Sequence, residues 1–173
     1  MELVHNRHSV GGSNYHMQFT PKYRVQVFRV ESIRKLIEAL IRRKAYQLGI
    51  HIEAIEFGPD HVHIFATDCR KYSVSYIVNQ LKGYSSWYIR RALPEYVQAY
   101  LWGDSLWSDG YFYESIGRVT ANTVKFYIER QQGKHWIHAE QHKLPCEHIS
   151  PGQKTLDAFY PDPTSTPAPF KGW

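Results

Sequence analysis

Apolar residues recur along the chain with two different periods, and the order of those periods predicts a fold. Tyr15-His16-Met17-Gln18-Phe19-Thr20 alternates with the period of a strand, and Pro21 ends it. From Glu31 to Leu48 the apolar positions Ile33, Leu36, Ile37, Leu40, Ile41, Ala45 and Leu48 keep helical spacing, and Gly49 is a helix stop. Ile50, Ile52, Ala54 and Ile55 begin a second strand that runs through Phe57. The turn Gly58-Pro59-Asp60 then leads into a third, His61 to Ala66, so the two strands make an antiparallel hairpin. Ser73 caps a second helix reaching about Leu93, before Pro94. Its buried face is expected to carry Val74, Ile77, Val78, Leu81, Tyr84 and Tyr88, and its polar face Asn79, Lys82, Ser85, Ser86, Arg90 and Arg91. Leu106 to Ile116 reads as a strand. Thr120 caps a last helix, with Val124, Tyr127, Ile128 and Gln131 at helical spacing up to Gly133. Met1 to Ser13 reads as a loose, polar lead-in.

Strand, helix, strand, strand, helix, strand is the split βαβ, ferredoxin-like order. It predicts an α+β fold: an antiparallel sheet with helices on one face and the other face open to a site or a nucleic acid. A further helix, carrying Tyr127, follows the sheet. From Gln141 onward periodicity disappears, and six of the nine prolines lie between Pro145 and Pro169. We therefore expect a domain over residues 1–140 and a Pro-rich extension over 141–173.

Composition adds a compartment and a partner class. Two cysteines, Cys69 and Cys146, are too few for a disulfide framework and fit a reducing compartment. His5, Arg7 and His8 break up any signal-peptide core, and no apolar run is long enough to span a bilayer. The expectation is a soluble, cytoplasmic protein with no membrane partner. A net charge of +5 is compatible with a polyanion. An aromatic share of 15% says more, because rings interleaved with basic residues suit stacking on unpaired bases.

The chemistry centres on His61-Val62-His63. On a strand His61, His63 and Phe65 share one face, and Val62, Ile64 and Ala66 the other. Two imidazoles so placed suit one divalent metal; the plainer reading of the spacing alone is two polar positions on a half-solvated strand. A pair of histidines alone under-coordinates a metal, and Gln131 is a candidate for a further ligand. Tyr127 lies four residues before it on the same helical face. The later group His135, His138, His142, Cys146 and His148 has no defensible zinc spacing and reads as a solvated segment.

Five stretches in order resemble the single-tyrosine HUH transposases of insertion sequences that move as single-stranded DNA, the insertion-sequence 200/605 type. They are Tyr15 to Arg24, ending Thr-Pro-Lys-Tyr-Arg; Pro59-Asp60-His61-Val62-His63; Gln80 to Ser86; Trp107 to Phe112 with Ser115-Ile116-Gly117; and Val124 to Gln131. Together they span roughly residues 14 to 135, and the Pro-rich end is no part of the pattern. The resemblance implies that His61, His63 and Gln131 hold Mg²⁺ or Mn²⁺. It implies that Tyr127 attacks a phosphodiester to leave a 5′-phosphotyrosine, and that the protein is a homodimer whose active sites can be completed in trans. Its substrate would be single-stranded DNA with hairpin ends. Lys22, Arg24, Lys82, Arg90 and Arg91 are the candidate phosphate contacts, and Tyr23, Tyr84, Trp87 and Tyr88 the candidate stacking partners. Two other readings fit the residues less fully: a non-catalytic nucleic-acid-binding module on the same scaffold, and a metallohydrolase activating water.

Overall fold

The structure is a computed structural model that describes residues 4–6, 9–100 and 105–117. Within the expected lead-in, β1 (Val4–Asn6) and β2 (Ser9–Gly11) pair antiparallel, Val4 opposite Gly11. The alternating segment forms β3 (Tyr15–Phe19), the first long periodic run forms α1 (Glu31–Leu48), and β4 (His51–Phe57) and β5 (Val62–Thr67) form the hairpin. After them come α2 (Val74–Ala92), α3 (Pro94–Tyr100) and β6 (Phe112–Ser115). The helix expected between Thr120 and Gly133, with Tyr127 and Gln131, lies outside the described residues, as does the 141–173 extension.

The helix boundaries have local causes. Gly49 closes α1 in the left-handed region at φ 70°, and its N–H reaches back to the carbonyls of Ala45 and Tyr46. The Ser73 hydroxyl accepts a hydrogen bond from the Tyr76 N–H at 3.2 Å, satisfying one of the orphan donors at the start of α2. No described helix is long and apolar enough to cross a membrane.

The four-stranded sheet runs β4-β5-β3-β6, all antiparallel. That is the ferredoxin-like order, with the hairpin on one side and the last strand beside the first. Met17, Phe19, Val62, Ile64 and Ala66 enter the main core together with Ile33, Ile37 and Ile41 of α1 and Ile77, Val78 and Leu81 of α2. Both helices therefore cover one face of the sheet. The register of β4 slips between Ile52 and Ala54. This bulge sends Ile52 and Ile55 to the main core while Ala54 joins Phe65 and Ile116 in a small apolar cluster on the opposite face. The slip is why the apolar residues of this stretch break strict alternation.

Two expectations need correction. Only Phe112–Ser115 of the Leu106–Ile116 stretch is a strand. Trp107 makes a single bridge to Pro21 and is buried against Phe19 and Phe28, its indole N–H donating to the Ser85 hydroxyl at 2.9 Å. The buried face of α2 is also turned from the one predicted. Lys82, Ser85 and Ile89 are buried, whereas Val74, Tyr84 and Tyr88 pack only partly against the core. The cause is the Trp107 loop, which the periodicity of α2 alone does not reveal and which draws in the polar Ser85 and Lys82.

Candidate functional site

His61 sits in the turn just before β5, and His63 is the second residue of that strand. Both are buried, at 5% and 7% exposure, so they are not two polar positions on a half-solvated strand. Their ring centroids lie 5.1 Å apart with planes nearly perpendicular. In the register His63 stands opposite Gln18 of β3 and Glu56 of β4, on the face of the sheet away from α1 and α2.

Each imidazole is held through its Nδ1 atom. Asp60 Oδ1 is 2.8 Å from Nδ1 of His61, and His16 Nε2 is 3.0 Å from Nδ1 of His63. Asp60 is itself anchored: the Arg24 Nε–H donates to its Oδ2 at 2.8 Å. Burial alone would raise the Asp60 pKa, but the hydrogen bonds and charges of Arg24 and His61 outweigh it and hold the carboxyl below its usual range. Burial pushes His16 the other way from a free imidazole, to a lower pKa, against the opposing pull of Glu114. Neither Asp60 nor His16 was singled out from the sequence. The signal for His16 was present: it alternates with Tyr15, Met17 and Phe19, so once β3 lies beside β5 it must share the face of His63.

Gly58 makes room for this arrangement. Its N–H donates to the His61 carbonyl at 2.9 Å, closing the turn. The sequence suggests that glycine is there for its backbone freedom. Among the described glycines, however, only Gly49 takes a positive φ. What excludes a side chain at Gly58 is the His61 ring packed over its Cα.

The donor chemistry suits a divalent cation: two neighbouring imidazoles, each oriented by an outer partner. Among the described residues no group of three or more His, Cys, Asp or Glu is placed to hold a metal ion. Gln131 and Tyr127 lie outside the described residues.

The expected DNA contacts fall into two groups and an exception. Tyr23 and Arg24 occupy a turn after Pro21 with φ 59° and 54°, a conformation costing non-glycine residues about 1–3 kcal/mol each. The Tyr23 ring is 72% exposed, with the Lys22 ammonium 5.5 Å from its centroid. On α2, Tyr84 and Trp87 both pack on Tyr88 at 4.6 and 4.7 Å, and the Arg91 guanidinium lies 4.7 Å from the Trp87 ring. Burial, helped by Tyr88, pushes the Tyr84 hydroxyl up to about 12, so it stays a neutral phenol. Arg90 is half-buried on the same helix. The two groups share a border, because Lys22 N–H donates to the Leu106 carbonyl and Leu106 N–H to the Ser86 hydroxyl.

Lys82 is the exception. Its ammonium is buried and donates to the carbonyls of Ser108, Asp109 and Gly110 at 2.6, 3.2 and 3.3 Å. Three donors are thereby committed to three acceptors, so Lys82 clips the loop before β6 instead of facing a phosphate. Lys82→Met should destabilise the domain by about 1.5–3 kcal/mol, the worth of buried charge-assisted hydrogen bonds. Urea denaturation checks this, and a loss below experimental error would show that the clip is dispensable.

An α+β domain with helices on one side of a β4-β5-β3-β6 sheet, and a buried His-x-His pair on the other, has the framework of an HUH-type DNA-processing enzyme. The chain belongs to the IS200-like transposase family, whose model matches residues 9–131. It is 30% identical over 134 residues to the ISDra2 transposase TnpA of Deinococcus radiodurans, covering 78% of this chain and 94% of that one. It is 30% identical over 124 residues to the transposase of insertion sequence element IS200 of Salmonella typhimurium, covering 72% and 80%. A crystal structure of a candidate transposase from D. radiodurans R1 superposes with a TM-score of 0.60 at 29% identity, covering 75% of this chain and 98% of that one.

Proposed function

We propose that this transposase cleaves and rejoins single-stranded DNA at hairpin-marked ends through a tyrosine nucleophile. The observation that carries the reading is the buried His61/His63 pair, each ring held at Nδ1, on a chain of this family. His61, His63 and Gln131 are the residues that would hold Mg²⁺ or Mn²⁺, and a cation there supplies positive charge beside the scissile phosphodiester. Tyr127 supplies the nucleophile. Its oxygen bonds to phosphorus as the bond from phosphorus to the 3′-oxygen breaks; its proton is balanced by the one the leaving oxygen gains. The products are a 5′-phosphotyrosine and a free 3′-hydroxyl, and attack by another 3′-hydroxyl reverses the step without ATP. A water molecule in the same place would waste the intermediate, and a buried site limits that loss.

The edge of the sheet supports the homodimer part of this reading. β6 is an edge strand with all four residues exposed, Phe112 and Tyr113 by more than half, and among the described residues no strand lies beyond it. Such an edge offers a row of backbone donors and acceptors to a second copy. Lys22, Arg24, Arg90 and Arg91 would meet phosphates while Tyr23, Trp87 and Tyr88 stack on bases. Four neutralised phosphates on a single strand correspond to a log–log salt slope of about −3. A slope near zero in a fluorescence titration would remove this footprint. The deciding experiment incubates the protein with single-stranded hairpin oligonucleotides and Mn²⁺ and looks for a denaturation-resistant protein–DNA band. Binding without that band would make the protein a non-catalytic module.

A further inference from the structure

The strongest unassigned feature is the outer ring of partners around the histidine pair. From this geometry we propose that His16 and Asp60 are positioning residues that fix His61 and His63 in the one neutral tautomer, Nδ1–H, that presents Nε2 as the ligating nitrogen. The inference rests on the metal reading above, since it assigns outer partners to its ligands.

The chemistry at His61 follows from its partner. An ionised carboxylate only accepts, so the 2.8 Å contact to Asp60 Oδ1 requires a proton on Nδ1 of His61. Arg24 keeps the second carboxylate oxygen occupied at 2.8 Å and so keeps Asp60 in place. At His63 the partner is another imidazole and the proton can lie on either side. The centroids of His16 and His63 are 5.2 Å apart, their planes 17° apart, and the nitrogens 3.0 Å apart. With so short a nitrogen contact, the rings meet edge to edge in nearly one plane rather than face to face. A coplanar contact of this kind is one hydrogen bond with a single direction to choose. If His16 donates, His63 carries its proton on Nε2 and cannot ligate there. If His16 accepts through Nε2, its own proton sits on Nδ1 and His63 carries Nδ1–H. The accepting direction is the one the metal reading requires, because it alone leaves Nε2 of His63 without a proton. Phe112, packed edge-on against His16 at 6.1 Å, keeps the ring in that plane from the β6 side.

The two ligands therefore use the same device with different partners, a carboxylate for one and an imidazole for the other. Outer partners of this kind typically change metal affinity 10–100-fold when removed. The test has two independent readouts on the full-length protein. Long-range ¹H–¹⁵N spectra of metal-free protein at neutral pH report the tautomer of each assigned histidine. Calorimetric titration with Mn²⁺ reports affinity in wild type, His16→Ala, His16→Gln, His16→Leu, Asp60→Ala and Asp60→Asn. We expect Nδ1–H for both His61 and His63 in wild type and a 10–100-fold weaker Mn²⁺ affinity in each alanine variant. The glutamine and asparagine variants, whose amide oxygens can accept from Nδ1–H, should recover most of that loss. A role of bulk alone would be restored equally by His16→Leu, which fills the space without an acceptor and on this proposal should stay as weak as the alanine variant. Nε2–H on His63 in wild type, or equal affinities across the series, would overturn the proposal. Wild type that binds no Mn²⁺ at all would instead overturn the metal reading, and the spectra would still judge the tautomers on their own.

Discussion

Tyr127→Phe should keep the fold and the affinity for hairpin DNA and lose the covalent band entirely. The substitution removes one oxygen. A phenyl ring has no nucleophile, so the loss should exceed a thousandfold, as for other removals of a covalent nucleophile. His61→Ala combined with His63→Ala should be as severe for a different reason, because it removes both imidazoles that would bring charge to the phosphate. The pair of variants separates two architectures when mixed. If the tyrosine helix of one protomer completes the site of the other, a heterodimer of Tyr127→Phe and the double histidine variant contains one intact site. Its adduct should then approach half the wild-type level. If tyrosine and histidines work within one protomer, every site in the mixture lacks something and no adduct appears. Adduct retained by Tyr127→Phe alone would assign the chemistry to another of the thirteen tyrosines.

The sheet could be read from the sequence because its determinants are local. Period-two runs, period-3.6 runs, Gly49 as a stop and Ser73 as a cap are each decided within a few residues of chain. The parts that were missed depend on neighbours distant in sequence. Lys82 looks like any basic residue on a helix until the loop at Ser108–Gly110 folds over it. Ser85 looks solvated until Trp107, twenty-two residues on, needs an acceptor. The histidine pair was legible as a spacing, but what gives each ring its tautomer was not, since His16 lies 47 residues from His63 and becomes its partner only through the β3–β5 register. The role of Gly58 was misread for the same reason: backbone preference is visible in a sequence, whereas a ring packed over an α-carbon is not.

That ring makes Gly58→Ala the second substitution with a large expected effect, and it reaches the site without replacing a ligand. An added Cβ would stand 2.5 Å from Nε2 and 2.7 Å from Nδ1 of His61, with Cε1 nearer still. The ring cannot stay where it is. It also cannot yield freely, because it is buried at 5% exposure and tied to Asp60, which Arg24 holds in turn. One consequence is a rotation of His61 away from His63 with the Asp60 contact broken. The backbone at Gly58 needs no positive φ, so the methyl group costs little in conformation. The fold should lose only about 1–3 kcal/mol from overpacking at one end of β5. Displacing a reacting or ligating group by about an ångström typically costs a hundredfold in rate. We therefore expect Gly58→Ala to melt as a cooperative domain, bind hairpin DNA with near wild-type affinity, and form adduct about a hundredfold more slowly. Normal adduct formation in a folded Gly58→Ala protein would mean that the position of the His61 ring seen here is not the one the reaction uses.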